Sequence, residues 1–173
     1  RHLTFVRSWR NGQGGVTGMS KPDRLLISPN GESLFVSSVD GDSLAVFRRS
    51  GTNGELAFAG SFKAAENTGL KGAYGMAMNR SGKHLYVAGS FASSIAIFAH
   101  DGQSQGRLTY QGVVVGGQNG VTGMNGIRDL VVAGDDNRSQ LIGVSDAAYP
   151  VGGVNRNQDN GPLTVVQALN LRA

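Results

Sequence analysis

Ser28-Pro29-Asn30-Gly31-Glu32-Ser33-Leu34-Phe35-Val36 is a turn running into a strand, and it recurs 51 residues later as Asn79-Arg80-Ser81-Gly82-Lys83-His84-Leu85-Tyr86-Val87. The same register carries Val46-Phe47 onto Ile97-Phe98, again 51 apart, and Leu56-Ala57-Phe58 onto Leu108-Thr109-Tyr110, 52 apart. A third copy is marked by identical pentapeptides, Gly15-Val16-Thr17-Gly18-Met19 and Gly120-Val121-Thr122-Gly123-Met124, 105 apart. From there Leu34-Phe35-Val36-Ser37-Ser38 tracks to Leu141-Ile142-Gly143-Val144-Ser145, and Thr52-Asn53-Gly54 to Asp159-Asn160-Gly161. Both of these offsets are 107, which places a two-residue insertion near Asp135-Asp136-Asn137.

Each repeat reads as four short strands punctuated by turns. In the second they are about Tyr74–Met78, His84–Ala88, Ser94–Phe98 and Arg107–Val113, separated by Asn79-Arg80-Ser81-Gly82, Gly89-Ser90 and Asp101-Gly102. The runs Leu34-Phe35-Val36 and Leu44-Ala45-Val46-Phe47 are apolar without alternation, as expected of strands covered on both faces. Four strands in a period of about 40–50 residues is the signature of a β-propeller blade. The expected fold is therefore all-β: three four-stranded antiparallel blades at 14–66, 67–118 and 119–173, forming one partial domain. Residues 1–13 precede them as the outer strand of another blade, because Leu3-Thr4-Phe5-Val6 aligns with Leu56-Ala57-Phe58-Ala59.

Composition agrees and narrows the function classes. Gly is 27 of 173 residues, about twice the usual ~7 %, which suits a chain made largely of turns. With no Cys there is neither a disulfide framework nor a thiolate metal site. No apolar run is long enough to span a membrane. The first residue is Arg1 and no signal-peptide pattern precedes the first strand, so a processed or excised chain is expected. Net charge is +4, yet Arg7, Arg10, Lys21, Arg24, Arg48, Arg49, Lys63 and Lys71 are dispersed. They build no basic stripe interleaved with aromatics, so no nucleic-acid partner is expected.

Ile27-Ser28-Pro29-Asn30-Gly31-Glu32-Ser33-Leu34-Phe35-Val36-Ser37-Ser38, followed by Leu44-Ala45-Val46-Phe47 and Gly54-Glu55-Leu56-Ala57-Phe58, resembles the blade of lactonase-like propellers. That group includes the bacterial 6-phosphogluconolactonase-like proteins and the related YVTN surface-protein repeats. Gly69-Leu70-Lys71-Gly72-Ala73 resembles the blade-linking segment of secreted members. The resemblance implies a seven-bladed ring, a periplasmic or extracellular location and, in the enzyme members, lactone hydrolysis. The matching residues are turn and core positions, so they speak for fold more than for function.

Three blades cannot close a ring that holds four to eight. The expected partners are therefore protein: the remaining blades of a parent chain, or another subunit. A glycan or a small charged ligand is the further possible partner. Propeller sites form at one mouth of the central channel, reached by the loops entering each innermost strand (14–24, 67–74, 119–129) and by those between second and third strands (39–43, 89–93, 146–150). Among the polar residues these loops offer are Asp40 and Asp42. The candidate ligand-binding set is Asp23, Arg24, Lys71, Tyr74, Arg128 and Asp129. Asp23-Arg24 and Arg128-Asp129 occupy equivalent places in swapped order, fitting either a charged ligand or ion pairing between channel-lining side chains.

Other motifs carry less chemistry. Asp40-Gly41-Asp42-Ser43 lacks the remaining ligands of a calcium loop and reads as a hairpin turn, and Asp135-Asp136-Asn137 reads likewise. Gly116-Gly117-Gln118-Asn119-Gly120 precedes no helix and so is no phosphate cradle. His84 and His100 fall at the end opposite the mouth, and His2 is terminal. No catalytic set, metal site or cofactor is expected from these spacings. Two functions follow: a non-catalytic scaffold or recognition propeller, or a lactonase whose general base lies in blades outside this sequence, with Arg24, Lys71 and Arg128 as its cations. Both imply apolar flanks seeking partners, so light scattering of the isolated 173-residue chain should show association; a stable, non-associating 18.0 kDa monomer would contradict this.

Overall fold

The structure, a computed structural model, describes residues 2–64, 68–102, 106–134, 140–146 and 163–170. The first repeat forms β1 (Pro22–Ile27), β2 (Ser33–Ser38), β3 (Ser43–Arg49) and β4 (Leu56–Lys63), hydrogen-bonded in that order. The second forms β5 (Ala73–Met78), β6 (His84–Gly89), β7 (Ser94–His100) and β8 (Leu108–Val115), in the same order. The third contributes β9 (Ile127–Ala133), β10 (Gln140–Asp146) and β11 (Leu163–Asn170), ordered β11-β10-β9. All pairings are antiparallel, and the sheets form three blades of an unclosed propeller. The sole helical element among the described residues is one 3₁₀ turn, Ser90–Ala92, so no helix there is long and apolar enough to cross a membrane.

The repeated turn explains why each blade starts as it does. The Gly31 N–H donates to Ser28 O at 2.8 Å, and the Ser28 hydroxyl oxygen accepts the Ser33 N–H at 2.9 Å. In the second blade, Gly82 N–H donates to Asn79 O and Asn79 Oδ1 accepts the His84 N–H, both at 2.9 Å. Serine and asparagine thus do the same work: a short polar side chain closes the turn and launches the second strand.

Alternate residues of the inner strands serve opposite faces, which is why those strands read as unbroken apolar runs. Phe35, Leu44 and Val46 of the first blade meet Met76, Leu85, Val87 and Phe98 of the second in one cluster. Tyr86, Ala88 and Ile95 on the second blade's other face meet Ile127, Leu130 and Leu141 of the third. Phe98 packs edge-on against Phe62 across the interface, ring centroids 5.1 Å apart, and against Tyr110 in its own sheet at 5.6 Å. On the first blade's far face, Val36, Ala45 and Phe47 are covered by Val16, Met19 and Trp9 from the approaching chain.

The repeat register makes Leu34, Val36, Val46, Phe47 and their copies Leu85, Val87, Ile97 and Phe98 the expected core; Val36, Val46, Phe47, Leu85, Val87 and Phe98 are buried, whereas Leu34 and Ile97 are half-buried. Leu34 packs at the edge of the cluster on the first blade's far face, and Ile97 at the edge of the cluster between the second and third blades. The flanks show the same incompleteness. Leu25 (70 % exposed) and Ile27 (53 %) correspond to Met76 and Met78, which pack against the first blade; among the described residues no blade covers Leu25 and Ile27 in the same way. Val131, on the third blade, is 54 % exposed.

Two expectations change. Residues 2–10 form no strand: Leu3, Phe5 and Val6 are exposed, because the sheet edge to which Leu3-Thr4-Phe5-Val6 would bond is not among the described residues. The third blade has three described strands, not four. Leu163-Thr164-Val165-Val166 follows Asp159-Asn160-Gly161 as Leu56 follows Thr52-Asn53-Gly54, which makes it the expected outer strand; the observed strand Leu163–Asn170 instead pairs directly with β10 in the place of a third strand. The preceding stretch, Tyr149-Pro150-Val151-Gly152-Gly153-Val154, lacks the continuous apolar run of Leu44–Phe47, and it lies outside the described residues. Phe98, fully buried between blades, should be the most sensitive core position: Phe98→Ala is expected to lower unfolding free energy by about 3–5 kcal/mol, measured by denaturant titration.

Candidate functional site

Strand register fixes which groups share an end of the propeller. Pro22 pairs with Ser38, Ala73 with Gly89 and Ile127 with Ser145. The start of each innermost strand therefore lies beside the turn between its blade's second and third strands, and β5 stands between β1 and β9, in contact with each. All six candidate residues sit at this end, within or just before those strands. Of the loops expected to surround it, residues 67 and 147–150 lie outside the described residues.

The three innermost strands share an irregularity at one place. In β1 the pairing steps from Pro22–Ser38 to Arg24–Ser37, leaving Asp23 as an extra residue. In β9, Asp129 pairs with Val144 and Ile127 with Ser145, leaving Arg128 extra. In β5, Tyr74 and Gly75 together stand opposite Ala88. Each is a β-bulge, which bends the strand and re-aims side chains that strict alternation would send to opposite faces. The dipeptides Asp23-Arg24, Tyr74-Gly75 and Arg128-Asp129 are thus equivalent, one per blade.

Tyr74, half-buried on the middle blade, is the meeting point. Arg24 Nη2 donates to the Tyr74 hydroxyl oxygen at 3.2 Å, and its Cζ stands 4.7 Å from the ring centroid. Arg128 reaches the same ring from the third blade, its Cζ 5.9 Å from the centroid. Two cations sharing one aromatic ring gain cation–π attraction, while their like charges favour an anion at the mouth. Because the phenolic oxygen accepts from Arg24, the phenol O–H is left to donate elsewhere. The blades come close here: a Cβ on Gly75 would lie 2.5 Å from Asp129 Cα and would also strike the Arg128 carbonyl oxygen.

The remaining candidates are more dispersed. Asp129 is exposed, and its Oδ1 accepts the N–H of Leu130 at 2.9 Å. Asp23 and Lys71 are exposed, and among the described residues their side chains make no hydrogen bond or ion pair. Lys21 pairs with Asp40 at 3.0 Å, an exposed contact worth little to stability. Asp42 Oδ1 accepts the Gly72 N–H at 2.6 Å, which ties the two blades together instead of joining a ligand set. No group of acidic or histidine side chains among the described residues could hold a metal.

The histidines lie at the far end. His100 is buried between the first two blades; its Nδ1–H donates to Gly82 O at 2.7 Å and its Nε2 lies 3.0 Å from the Ser33 hydroxyl, which donates to it. Its ring also stands edge-on to Phe35, centroids 5.6 Å apart. Sequence reasoning missed Ser37, whose hydroxyl donates to the Tyr74 carbonyl oxygen at 2.6 Å. It also missed the bulges, which carry paired charges at Asp23-Arg24 and Arg128-Asp129 but none at Tyr74-Gly75.

Residues 3–122 match the family described as Lactonase, 7-bladed beta-propeller. The chain belongs to this family. Solved structures agree on the architecture of this lactonase-family propeller. A candidate 6-phosphogluconolactonase from Bacteroides uniformis superposes with a TM-score of 0.59 at 19 % identity, covering 91 % of this chain and 43 % of that one. The periplasmic gluconolactonase of Pseudomonas aeruginosa gives 0.53 at 20 % identity, covering 86 % and 40 %. The hydrazine synthase of Kuenenia stuttgartiensis gives 0.52 at 15 %, covering 81 % and 33 %. At such identities the likeness is one of fold, and these three proteins already differ in chemistry. The lactonase-family chain thus spans less than half the length of each. Comparison with curated proteins gives no match.

The close approach at Gly75 makes a direct prediction. Gly75→Ala should force β5 away from β9 and destabilise the protein by about 1–3 kcal/mol, read by denaturant titration; an unchanged midpoint would mean the bulged strands do not touch.

Proposed function

We propose that these three blades form part of a lactonase-type propeller whose mouth binds an anionic sugar lactone. The observation that carries this is the convergence of Arg24 and Arg128 on Tyr74 at bulged positions of three successive blades. Guanidinium groups suit a phosphate or carboxylate substituent through paired N–H donors, and the Tyr74 hydroxyl suits a lactone or sugar oxygen. Family membership and the named activities of the Bacteroides and Pseudomonas proteins support lactone hydrolysis as the chemistry. In that reaction water adds to the lactone carbonyl, the ring C–O bond breaks, and cationic donors stabilise the oxyanion. A general base must activate the water, and it is assigned to the blades beyond these three.

One observation favours a second reading, a non-catalytic recognition propeller. His100, the buried histidine, is locked at the far end with both ring nitrogens engaged. Hydrolysis of 6-phosphogluconolactone by the protein with all its blades separates the two. The lactonase reading expects turnover that falls by about 10²-fold or more in Arg24→Gln or Arg128→Gln. Binding without turnover in the wild type would leave the recognition propeller standing.

A further inference from the structure

The segment that delivers Tyr74 is pinned at both ends by the neighbouring blade. Asp42, in the β2–β3 turn, accepts the Gly72 N–H at 2.6 Å, and Ser37, on β2, donates to the Tyr74 carbonyl oxygen at 2.6 Å. Three consecutive residues, Gly72 to Tyr74, are therefore located by the first blade and not by their own sheet alone. The bulge at Tyr74-Gly75 makes such help necessary, because it interrupts the ladder that would otherwise fix this stretch.

The next interface repeats the link in weaker form. Ser93, at the same turn position as Asp42, lies with its Oγ 3.4 Å from the Gly126 N–H, just before β9. Asp42 and Ser93 share a left-handed backbone, φ 47° and 49°, and so do Gly72 and Gly126, φ 69° and 63°. The geometry is thus a recurrent blade-to-blade connection, but the shorter bond with a carboxylate acceptor occurs where Tyr74 is carried. A carboxylate accepting a backbone N–H makes a stronger bond than a hydroxyl does.

We propose that Asp42 and Ser37 are positioning residues for the mouth: by fixing the backbone from Gly72 to Tyr74 they hold the phenol where Arg24 and Arg128 converge. They act through Tyr74 and not on the ligand. This rests on the mouth being the ligand site, as proposed above. A site held within a fraction of an ångström loses affinity when its support is loosened, even with every contact residue present.

The test uses substitutions that keep the turn and remove only the link. Asp42→Asn and Asp42→Gly both tolerate a left-handed backbone, but only Asn retains an acceptor for Gly72. Ser37→Ala removes the other link and leaves the turn untouched. Calorimetric titration of the protein with all its blades, using 6-phosphogluconate as probe, should show Asp42→Asn within about twofold of wild type. Asp42→Gly and Ser37→Ala should bind about tenfold more weakly. Wild-type affinity in Asp42→Gly and Ser37→Ala overturns the proposal, as does an Asp42→Asn variant as weak as Asp42→Gly, which would assign the effect to carboxylate charge. If Asp42→Gly fails to fold, Ser37→Ala decides alone. Arg24→Gln separates the two levels: weakened binding there with unchanged Ser37→Ala removes the positioning role only. A wild type that binds no probe, or Arg24→Gln binding as tightly as wild type, removes the mouth reading and the positioning role together.

Discussion

Every blade of this protein carries apolar side chains on both faces, and a sheet of that kind is stable only between two neighbours. Burial contributes roughly 25 cal/mol per Å² of apolar surface, so an uncovered face forfeits an appreciable part of a domain's stability. The middle blade satisfies the constraint: Leu85, Val87 and Phe98 meet the first blade while Tyr86 and Ile95 meet the third. The outer blades satisfy it on one side each. The approaching chain, through Val16, Met19 and Trp9, covers part of the first blade's far face but leaves Leu25 and Ile27 open.

The same constraint brings the candidate site residues together. Stacking blades face to face sets their innermost strands side by side, so that one position in the repeat becomes a set of neighbouring positions in space. Asp23-Arg24, Tyr74-Gly75 and Arg128-Asp129 are neighbours for this reason, although 50 residues and more separate them in sequence. The absence of a side chain on Gly75 lets β5 and β9 close to within contact, and the two arginines then reach Tyr74 from either side.

What could be read in advance was what the repeat repeats. Turn residues and core positions recur at fixed offsets, because each blade solves the same packing problem, and so the strands of the first two blades fall where Ser28–Val36 and its copy place them. That the six candidate residues share one end of the innermost strands was legible; how they are arranged there was not. A bulge is a property of pairing between two strands and leaves no fixed residue signature, so Tyr74 as the centre of the cluster could not be distinguished from Lys71, whose side chain stays apart. Ser37 looked like one more strand residue, since its hydrogen bond to Tyr74 crosses between blades. The third blade was least legible: its register follows Leu141–Ser145, but Leu163–Asn170 takes an inner place that an alignment of outer strands cannot reveal.

The central claim is that the guanidinium groups of Arg24 and Arg128, meeting at Tyr74, form an anion site at the mouth of the channel. The most direct measurement is a crystal structure of the protein soaked in selenate, with the anion located by its anomalous signal at several concentrations. The account predicts a saturating peak within hydrogen-bond distance of both guanidinium groups and the Tyr74 hydroxyl. A mouth with no such peak, and with Arg24 and Arg128 closed onto the carboxylates of Asp23 and Asp129, would contradict it.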